Sequence, residues 1–495
     1  MNKQLRQVSV VALVLLALLI VSTTYWQTWA QADLANRKDN TTQLVARLTV
    51  NRGKFLADGG TVLATNRRHH KHGITIFTRH YPQNDLAPQV IGYATRAGTT
   101  TGLEQSLDDY LTGANTNLSN TFKQELDKLG GQTVKGDNVI LTLRPDIQRL
   151  ALQQLAGRCG AVVVLDAKTG AVLTMASSPT YNANLMVQPN GFNKVKKISG
   201  TCGGHTALRN NATVGLYPPG STFKMVTAAA ALDSGAYTPS SPFEDPGYCT
   251  EYGQRVSNAG NPDQSGPEAF GRVSLAQGFE HSINSVFCNV GKSIGGEEIL
   301  KYAKRFGFYS VPPLETPAGE RVASGLYKNG KLFDPTHESQ IDPGRLAFGQ
   351  FSMLATPLQM AMVAQTIANK GQELQPHLVD RIVAPDGSLV SKTKPQVLGQ
   401  PIKPSTAAEL NQMMQLVVQG GTAAGIFPAG LKVAGKTGTA ELGLGTVYDA
   451  WFVCFAPADN PRYVVAVVVE KQPNGFGASV SAPIAKAILE KLLVR

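Results

Sequence analysis

Cysteine is scarce in this sequence, and no two cysteines stand in a C-x-x-C pair. No zinc-finger pattern can therefore be drawn, and we also expect no nucleotide-binding P-loop, no metal, no cofactor and no nucleic-acid partner. Charged residues are few as well, at 16% against 42% hydrophobic residues, a balance that is typical of a globular protein with a large core. With 495 residues, the chain is long enough for two or three domains.

The N-terminus combines positive charge with a long apolar run. Lys3 and Arg6 precede residues 8–29, which contain no charged residue and are long enough to span a bilayer of ~30 Å. This pattern predicts a cytoplasmic tail at residues 1–7 and a transmembrane signal anchor at residues 8–29, with the rest of the chain outside the cytoplasm. An A-x-A site at residues 30–32 allows the alternative of a cleaved signal peptide. Because bulky aromatic residues separate that site from the apolar run, we favour an uncleaved, single-pass anchor in the cell membrane.

Basic residues exceed acidic ones, and the formal net charge is +11. A positive protein on the outer face of a membrane would favour anionic wall or lipid surfaces. The charge is spread along the chain, so simple solubility is the better interpretation.

The cysteines allow disulfides because an exported chain meets an oxidising environment. The five residues are Cys159, Cys202, Cys249, Cys288 and Cys454. An odd count leaves at least one thiol over. Pairing of Cys249 with Cys288 and pairing of Cys202 with Cys249 both stay open, whereas Cys454 falls in an apolar run and is predicted to be a buried small hydrophobe.

The region after the anchor, residues 33–154, contains no set of nucleophile, base and oxyanion donors. We predict a non-catalytic, pedestal-like or dimerisation-like region. Apolar pieces flank Asp58, Gly59 and Gly60, which predicts a hairpin. The basic cluster at residues 67–72 holds three histidines and could bind a metal or anions, but a solvated loop is the better interpretation.

From Gly160 onwards the sequence changes to apolar strands, which predicts a second domain at residues 155–495. Helices are predicted at residues 221–234, 273–293, 297–306, 356–370, 405–419 and 482–493, and late strands at residues 431–441, 449–457 and 462–470. Strands at both ends of the domain with helices between them predict an α/β layered fold, whose antiparallel sheet is built from both ends of the domain.

The stretch around Ser221 carries the first chemical signal. Pro218, Pro219 and Gly220 favour a turn, and a helix-forming run follows, so Ser221 is predicted to lie at a helix N-terminus. Lys224 would lie on the same face and could act as the base that a nucleophilic serine needs, provided that burial lowers its pKa. The alternative is a helix-capping serine beside a solvated lysine, and S-x-x-K alone favours that alternative.

Two further motifs reverse this preference. Ser282 and Asn284 form an S-x-N triplet in a predicted helical region. The K-T-G-T run on a predicted strand consists of Lys436, Thr437, Gly438 and Thr439. Each motif is weak alone, but the three in this order, behind an export signal, predict a serine acyl-transfer enzyme.

In these motifs the chain resembles the penicillin-binding proteins, specifically the monofunctional class B transpeptidases. The resemblance covers nearly the whole chain, includes Arg52-Gly53 and Gly102-Leu-Glu104, and is greatest to the shorter actinobacterial members. The N-terminal region is too short for the glycosyltransferase of class A members. The resemblance implies a penicillin-binding/serine β-lactamase-like transpeptidase domain with an antiparallel sheet flanked by helices, an elongated N-terminal region and one transmembrane helix.

The resemblance also implies a D,D-transpeptidase that cross-links peptidoglycan stem peptides, releases D-alanine and is inhibited covalently by β-lactams. Ser221 would be acylated with Lys224 as the base. Ser282 would relay a proton to the leaving amine, and Asn284 would hydrogen-bond the substrate backbone and hold the lysine in place.

The K-T-G-T strand would bind the terminal carboxylate of the substrate. Lys436 would supply positive charge, Thr437 and Thr439 would supply hydroxyl groups, and Gly438 would let the substrate approach the strand closely. The backbone N–H groups of Ser221 and Thr439 would form the oxyanion hole.

Three alternative functions are considered. Two are hydrolases that would use the same catalytic residues, and the third is a scaffold that would use none of them. A D,D-carboxypeptidase or a β-lactamase would resolve the acyl-enzyme with water, although the anchor and N-terminal region argue against a compact, released β-lactamase. A low-turnover membrane scaffold would tolerate the loss of Ser221, which is present. The cytoplasmic membrane is the expected surface, and a SEDS-family glycan polymerase is the partner that the resemblance implies.

Overall fold

The structure is a computed structural model that describes residues 2–28, 47–71, 73–114, 133–202, 204, 206–258, 268–443 and 446–493. Its helices are α1 (Asn2–Thr28), α2 (Pro88–Ile91), α3 (Gly102–Ser106), α4 (Asp108–Thr112), α5 (Pro145–Leu155), α6 (Gly191–Lys196), α7 (Asn211–Val214), α8 (Lys224–Asp233), α9 (Leu275–Glu280), α10 (Asn284–Ile294), α11 (Gly296–Arg305), α12 (Pro343–Leu346), α13 (Pro357–Ala368), α14 (Pro404–Gln419) and α15 (Ala482–Leu493). Its strands are β1 (Phe55–Leu56), β2 (Val62–Lys71), β3 (Ile74–His80), β4 (Asn138–Leu141), β5 (Gly160–Asp166), β6 (Val172–Ser178), β7 (Pro242–Asp245), β8 (Tyr248–Glu251), β9 (Gln254–Ser257), β10 (Gly271–Ser274), β11 (Gly325–Lys328), β12 (Lys331–Leu332), β13 (Met353–Leu354), β14 (Glu373–Leu374), β15 (Val379–Val383), β16 (Leu389–Lys392), β17 (Val397–Gly399), β18 (Ala434–Glu441), β19 (Val447–Ala456) and β20 (Tyr463–Pro473).

The N-terminal helix α1 contains the predicted anchor segment. Its stretch Arg6–Trp26 has 21 residues and a mean hydropathy of 2.4, and none of it is buried against the rest of the chain. By length and composition this helix can cross a membrane. The A-x-A site at residues 30–32 lies outside the described residues.

A six-stranded sheet organises the region that follows, in the order β16-β15-β4-β1-β2-β3. Strands β1 and β2 pair antiparallel around Asp58, Gly59 and Gly60. The two glycines have φ angles of 80° and 83°, which residues with a Cβ rarely adopt, so the predicted hairpin is confirmed. Strand β15 comes from much later in the chain and pairs with β4. The sheet therefore joins the two predicted regions, whose boundaries stay a prediction.

The basic cluster at residues 67–72 is not the loop that we predict from sequence. Its described residues up to Lys71 lie on β2, which pairs with β3 so that Arg68 faces Phe77 and His69 faces Ile76. The β-branched and aromatic residues of β3 favour a strand, and they impose that conformation on the basic partner. The side chain of Arg68 is nevertheless exposed, as expected of a solvated cluster. His72 lies outside the described residues.

The second sheet has the order β18-β19-β20-β5-β6, and every neighbouring pair is antiparallel. The first strands of the domain thus pair with the last ones, which confirms the predicted sheet. The apolar runs of β5, β19 and β20 are buried almost throughout because helices cover both faces. The fully buried helix α13 packs on β5, β19 and β20. Helices α5 and α15 pack on other parts of the sheet.

Two predicted helices differ from the structure at positions that bear on the site. Ser221 lies in a short 3-10 turn, Gly220–Phe223, and the α-helix begins only at Lys224. The helix predicted at residues 273–293 is interrupted after Glu280, and Ser282 has a left-handed φ of 59°. Periodicity does not reveal such an interruption, since the apolar pattern continues through it.

The structure contains two disulfides, Cys159–Cys202 and Cys249–Cys288. The second is one of the two pairings left open by the sequence; the alternative of Cys202 with Cys249 is wrong because Cys202 pairs with Cys159. Cys454 is a free, buried thiol, as predicted. The bond from Cys249 to Cys288 ties strand β8 to helix α10.

Glu373 is buried in β14 without a complete set of partners. Its Oε1 and the Oε1 of Gln359 on α13 are buried acceptors that have no hydrogen bond among the described residues. The other end of the Gln359 amide donates to the Phe306 carbonyl at 2.6 Å. Burial raises the pKa of Glu373 to about 7 from an ordinary value of 4.5. The folded state therefore binds a proton here that the unfolded state releases above pH 4.5.

Replacing Glu373 with glutamine is expected to stabilise the protein above neutral pH by on the order of 1–3 kcal/mol. In the native protein, the contribution of this carboxyl to the free energy of unfolding is fully present below its ordinary pKa, and it is lost as the pH rises through about 7. Glutamine stays neutral and offers an N–H group. Thermal unfolding measured across this pH range checks the result, with the exposed Glu244→Gln as the control. An unchanged pH profile in Glu373→Gln would contradict the assignment.

Candidate active site

A tight turn presents Ser221 beside the second sheet. Gly220 has a φ of 51°, and a Cβ there would lie only 3.1 Å from the Thr439 carbonyl oxygen on β18. The Thr222 hydroxyl closes the turn by donating to the Pro219 carbonyl at 2.7 Å. Ser221 itself stays partly exposed. The local sequence thus produces a rigid turn with an accessible hydroxyl at the edge of the sheet.

Lys224 connects this turn to the S-x-N triplet. Its side chain is completely buried, and its Nζ donates to the Ser282 carbonyl at 2.6 Å and to Asn284 Oδ1 at 2.9 Å. The Ser282 hydroxyl lies 3.3 Å from the same nitrogen. The Phe287 ring centroid lies 5.2 Å away. The structure therefore brings together Lys224, Ser282 and Asn284, as the sequence predicts for a shared site.

Burial also determines the proton affinity of Lys224. Desolvation, and after it the positive charge of Lys436, lowers the pKa of Lys224 well below its ordinary value. Two fixed acceptors, the Ser282 carbonyl and Asn284 Oδ1, match the two N–H groups of a neutral amine. The lone pair of that amine is then left for a hydroxyl proton. This is the arrangement expected of a general base.

The turn at Ser282 depends on a buried network that the sequence does not reveal. Asp245 accepts hydrogen bonds from the Ser285 hydroxyl and from Asn258 Nδ2. Asn258 Oδ1 in turn accepts from the Ser285 backbone N–H at 2.9 Å. Together with the disulfide at Cys288, these bonds hold the start of α10 in place. A left-handed serine costs on the order of 1–3 kcal/mol, and it persists only where its surroundings enforce it.

Lys436 lies on β18 and is as deeply buried as Lys224. Its Nζ donates to the Thr437 carbonyl at 3.2 Å and lies 5.6 Å from the Phe279 ring centroid. The sequence predicts that this lysine stays charged, but desolvation lowers the pKa of Lys436 to about 7. In the absence of substrate the charge is therefore lost progressively as the pH rises through about 7. A bound carboxylate would raise the pKa again.

The other residues of the K-T-G-T run lie along the same strand. The Thr437 hydroxyl is 2.6 Å from that of Thr422, and the Thr439 hydroxyl accepts from the Gly477 N–H at 3.3 Å. A Cβ on Gly438 would lie 2.8 Å from Thr222 Cγ2. The space beside Gly438 is therefore filled by the turn that carries Ser221. Close packing against this turn is a structural reason for glycine at this position, and the close approach of a substrate stays a prediction.

Residues 430–437 also match the letters of the P-loop pattern G-x-x-x-x-G-K-T. A P-loop binds phosphate with the backbone N–H groups of a loop between a strand and a helix. Here Lys436 and Thr437 lie within β18, whose backbone is paired with β19 along its whole length. The match therefore does not correspond to a phosphate-binding loop.

Thr422 is a site residue that sequence reasoning misses. It follows α14 in the chain, and its backbone N–H donates to the Glu280 carbonyl at the end of α9. Gly421 packs so closely there that a Cβ would lie 2.3 Å from the same carbonyl oxygen. The loop thus links the helix before Ser282 with Thr437 on β18. The Gly-Thr pair has no distinctive sequence signal, since it resembles any other helix ending.

Replacing Thr422 with valine is expected to lower kcat/KM for a stem-peptide donor by about tenfold. Valine keeps the shape but loses the hydroxyl, so the Thr437 hydroxyl is no longer oriented. Steady-state kinetics with Thr422→Ser as the control measure the effect, because serine retains the hydrogen bond. Equal losses in the valine and serine variants would show that packing, and not the hydroxyl, is responsible.

Comparison with known proteins assigns this architecture to a class. Residues 160–490 match the penicillin binding protein transpeptidase domain, and residues 52–139 match the penicillin binding protein A dimerisation domain. The chain therefore belongs to the penicillin-binding protein transpeptidase family, as a class B member, and the resemblance seen in the motifs is confirmed.

Individual relatives match along the whole chain. The chain is 32% identical to the peptidoglycan D,D-transpeptidase PbpA of Mycolicibacterium smegmatis, across 100% of this chain and 99% of that protein. It is 33% identical to PbpA of Mycobacterium tuberculosis with the same coverage. Penicillin-binding protein A of M. tuberculosis, solved as a ceftriaxone acyl-enzyme, superimposes with a TM-score of 0.79 at 29% identity, over 91% of this chain and 100% of that one. The penicillin G acyl-enzyme of the same protein superimposes with a TM-score of 0.78 at the same identity, over 90% of this chain and 100% of that one. The likeness to actinobacterial members is thus confirmed.

Proposed function

We propose that this peptidoglycan D,D-transpeptidase works through an acyl-enzyme on Ser221, with Lys224 as the general base. The single observation that carries the proposal is the set of contacts at Lys224 Nζ. Both N–H groups of the neutral amine have fixed acceptors on Ser282 and Asn284, and burial keeps the pKa of this amine low. The amine therefore accepts the Ser221 proton as the hydroxyl attacks the carbonyl of the D-Ala-D-Ala end.

The tetrahedral intermediate places negative charge on the former carbonyl oxygen. The backbone N–H groups of Ser221 and Thr439 are the proposed donors to it, each contributing roughly 3–4 kcal/mol. Collapse expels D-alanine, whose amine takes a proton from Ser282, which Lys224 in turn replenishes. An amine of a neighbouring stem peptide then attacks the ester carbonyl and loses a proton to Lys224. The bond to the Ser221 oxygen breaks, that oxygen takes the proton back from Lys224, and the new peptide bond is the cross-link.

The carboxylate of the substrate is assigned to Lys436, Thr437 and Thr439. A buried ammonium binds a carboxylate strongly because little water competes, and hydroxyl groups on the same strand would add hydrogen bonds. The carboxylate also restores the proton on Lys436, whose pKa is about 7 in its absence. The positive charge of Lys436 favours the neutral form of Lys224 before the attack.

Two assays test this proposal. A fluorescent penicillin should label the native protein and leave Ser221→Ala unlabelled, with the digested peptide modified on Ser221. A stem-peptide donor supplied with an amine acceptor should then give cross-linked dimer. Labelling of Ser221→Ala would overturn the nucleophile assignment. Hydrolysed donor without dimer would instead indicate a D,D-carboxypeptidase.

The topology proposal places residues 1–7 in the cytoplasm and the catalytic domain outside it. The apolar helix α1 supports the single pass, and the two disulfides suit an oxidising compartment. We expect the mature protein to retain residues 1–30. Mass spectrometry of membrane-extracted protein measures this directly, and a mature N-terminus at Asp33 would contradict it.

The proposed membrane partner is a SEDS-family glycan polymerase. Support comes from the class B resemblance and from the N-terminal region, which contains no catalytic set in its described part and matches a dimerisation domain. Co-purification from membranes after mild detergent extraction tests the pair. Failure to recover any such polymerase under conditions that retain penicillin labelling would argue against it.

A further inference from the structure

A narrow cleft in the N-terminal region is lined by an excess of arginine. It lies between residues 47–52, strand β3, the loop at residues 94–100 and helix α4, and its volume is about 60 Å³. Its charged lining residues are Arg47, Arg52, Arg79, Arg96 and Asp108. A cleft of this size holds a single small polar group or a few waters. Nothing in the proposed transpeptidase reaction uses it.

The arginines of this cleft fall into two kinds. Arg52 makes a hydrogen bond through each of its three nitrogens: Nε donates to Glu104 at 2.7 Å, Nη1 donates to Asp108 at 2.5 Å, and Nη2 donates to the Glu104 carbonyl at 2.6 Å. Arg79 shares Glu104 and donates Nη1 to the Gly53 carbonyl at 2.7 Å. Its Nη2 is buried and has no hydrogen-bond acceptor within the described part of the chain.

The two remaining arginines lie at the mouth of the cleft. Arg47 makes one long hydrogen bond, 3.4 Å, to the Gly98 carbonyl. Arg96 has neither an ion pair nor a hydrogen bond with any described residue, and its side chain is exposed. The four arginines face two carboxylates, those of Glu104 and Asp108. Within the described ranges, two of these positive charges therefore have no carboxylate partner.

We propose that this cleft binds the phosphate group of an anionic ligand. A phosphate group carries up to two negative charges and several acceptor oxygens, and planar guanidinium groups bind it with paired hydrogen bonds. The volume admits the phosphate but not a sugar or base attached to it. Arg47 and Arg96 would hold the group at the mouth, and the side chain of Arg79 also lines the cleft.

A phosphate group of this kind can come from two sources, an anionic lipid headgroup or free inorganic phosphate. Arg47 follows the end of the apolar helix α1 at Thr28 by only 19 residues, so a headgroup at the membrane surface is within the reach of a short connecting segment. A headgroup bound here would orient the N-terminal region against the membrane. The experiment therefore compares the two sources directly.

The test uses the full-length protein in phosphatidylcholine nanodiscs, with phosphatidic acid in the disc or inorganic phosphate in the buffer, at constant ionic strength. Amide hydrogen exchange in residues 94–100 should slow about threefold when the ligand is present at twice its dissociation constant. The double variant Arg47→Gln/Arg96→Gln should lose this protection. Arg68→Gln, an exposed arginine on β2 outside the cleft, should retain it.

Each outcome decides a separate point. Protection by phosphatidic acid identifies the lipid source, and protection by inorganic phosphate alone identifies the free anion. No protection by either, or equal protection in the double variant, overturns the proposal. Penicillin labelling of the same samples reports the catalytic domain independently, so loss of labelling would concern the proposed function and not this cleft.

Discussion

Replacing Lys224 with arginine is expected to reduce the acylation rate of Ser221 by about 10³-fold or more, since general-base catalysis contributes roughly 10²–10⁴-fold. A guanidinium group stays protonated at any accessible pH and cannot accept the serine proton. The loss should appear in acylation by a labelled penicillin as well as in transpeptidation. The exposed Lys168→Arg serves as the matched control, because it makes the same chemical change outside the site.

Replacing Lys436 with arginine should leave part of the activity, because this position has to supply charge and not a lone pair. Its pKa of about 7 means that the native lysine is only partly charged before substrate binds, whereas arginine is always charged. The two variants are compared by their acylation rates at several pH values. Equal losses at both positions, or better survival of Lys224→Arg, would show that the base is assigned to the wrong lysine.

The sheet and most helices could be predicted because their signals are local. Residues 463–469 of β20 and residues 450–456 of the strand that carries Trp451 form continuous apolar runs, as expected of buried strands. Strand β2 could not be predicted in the same way, since its Arg68 and His69 are strand residues only because β3 pairs with them. Pairing between separate segments leaves little trace in either segment alone.

The candidate site could be predicted as a set of residues but not as a geometry. The motifs indicate which side chains meet, and the structure places Lys224 against Ser282 and Asn284. The left-handed turn at Ser282 and the contact of Thr422 with Thr437 depend on long-range packing. The pKa of a buried lysine likewise cannot be predicted from its sequence neighbours, because it is lowered by the loss of hydration in the folded protein.

Replacing Gly438 with alanine is expected to lower the acylation rate by about 10²-fold, because small displacements of reacting groups have effects of this size. A Cβ at this position would lie 2.8 Å from Thr222 Cγ2 and 3.0 Å from both the Pro219 carbonyl oxygen and Trp451 Cβ. The added methyl group must push the turn that carries Ser221 away from β18. The proposed oxyanion donors, which lie on opposite sides of this contact, would then separate. Gly399→Ala is the control, since a Cβ there meets open space.

A second substitution distinguishes displacement of the turn from general damage. Thr222→Ser removes the methyl group nearest to the new Cβ but keeps the hydroxyl that donates to Pro219. The double variant Gly438→Ala/Thr222→Ser should therefore recover part of the acylation rate that Gly438→Ala loses. Melting temperatures of all variants are measured alongside the rates with labelled penicillin. A stable Gly438→Ala protein that acylates at the native rate would show that the turn and β18 can separate without cost. The close packing of the strand would then have no part in placing Ser221.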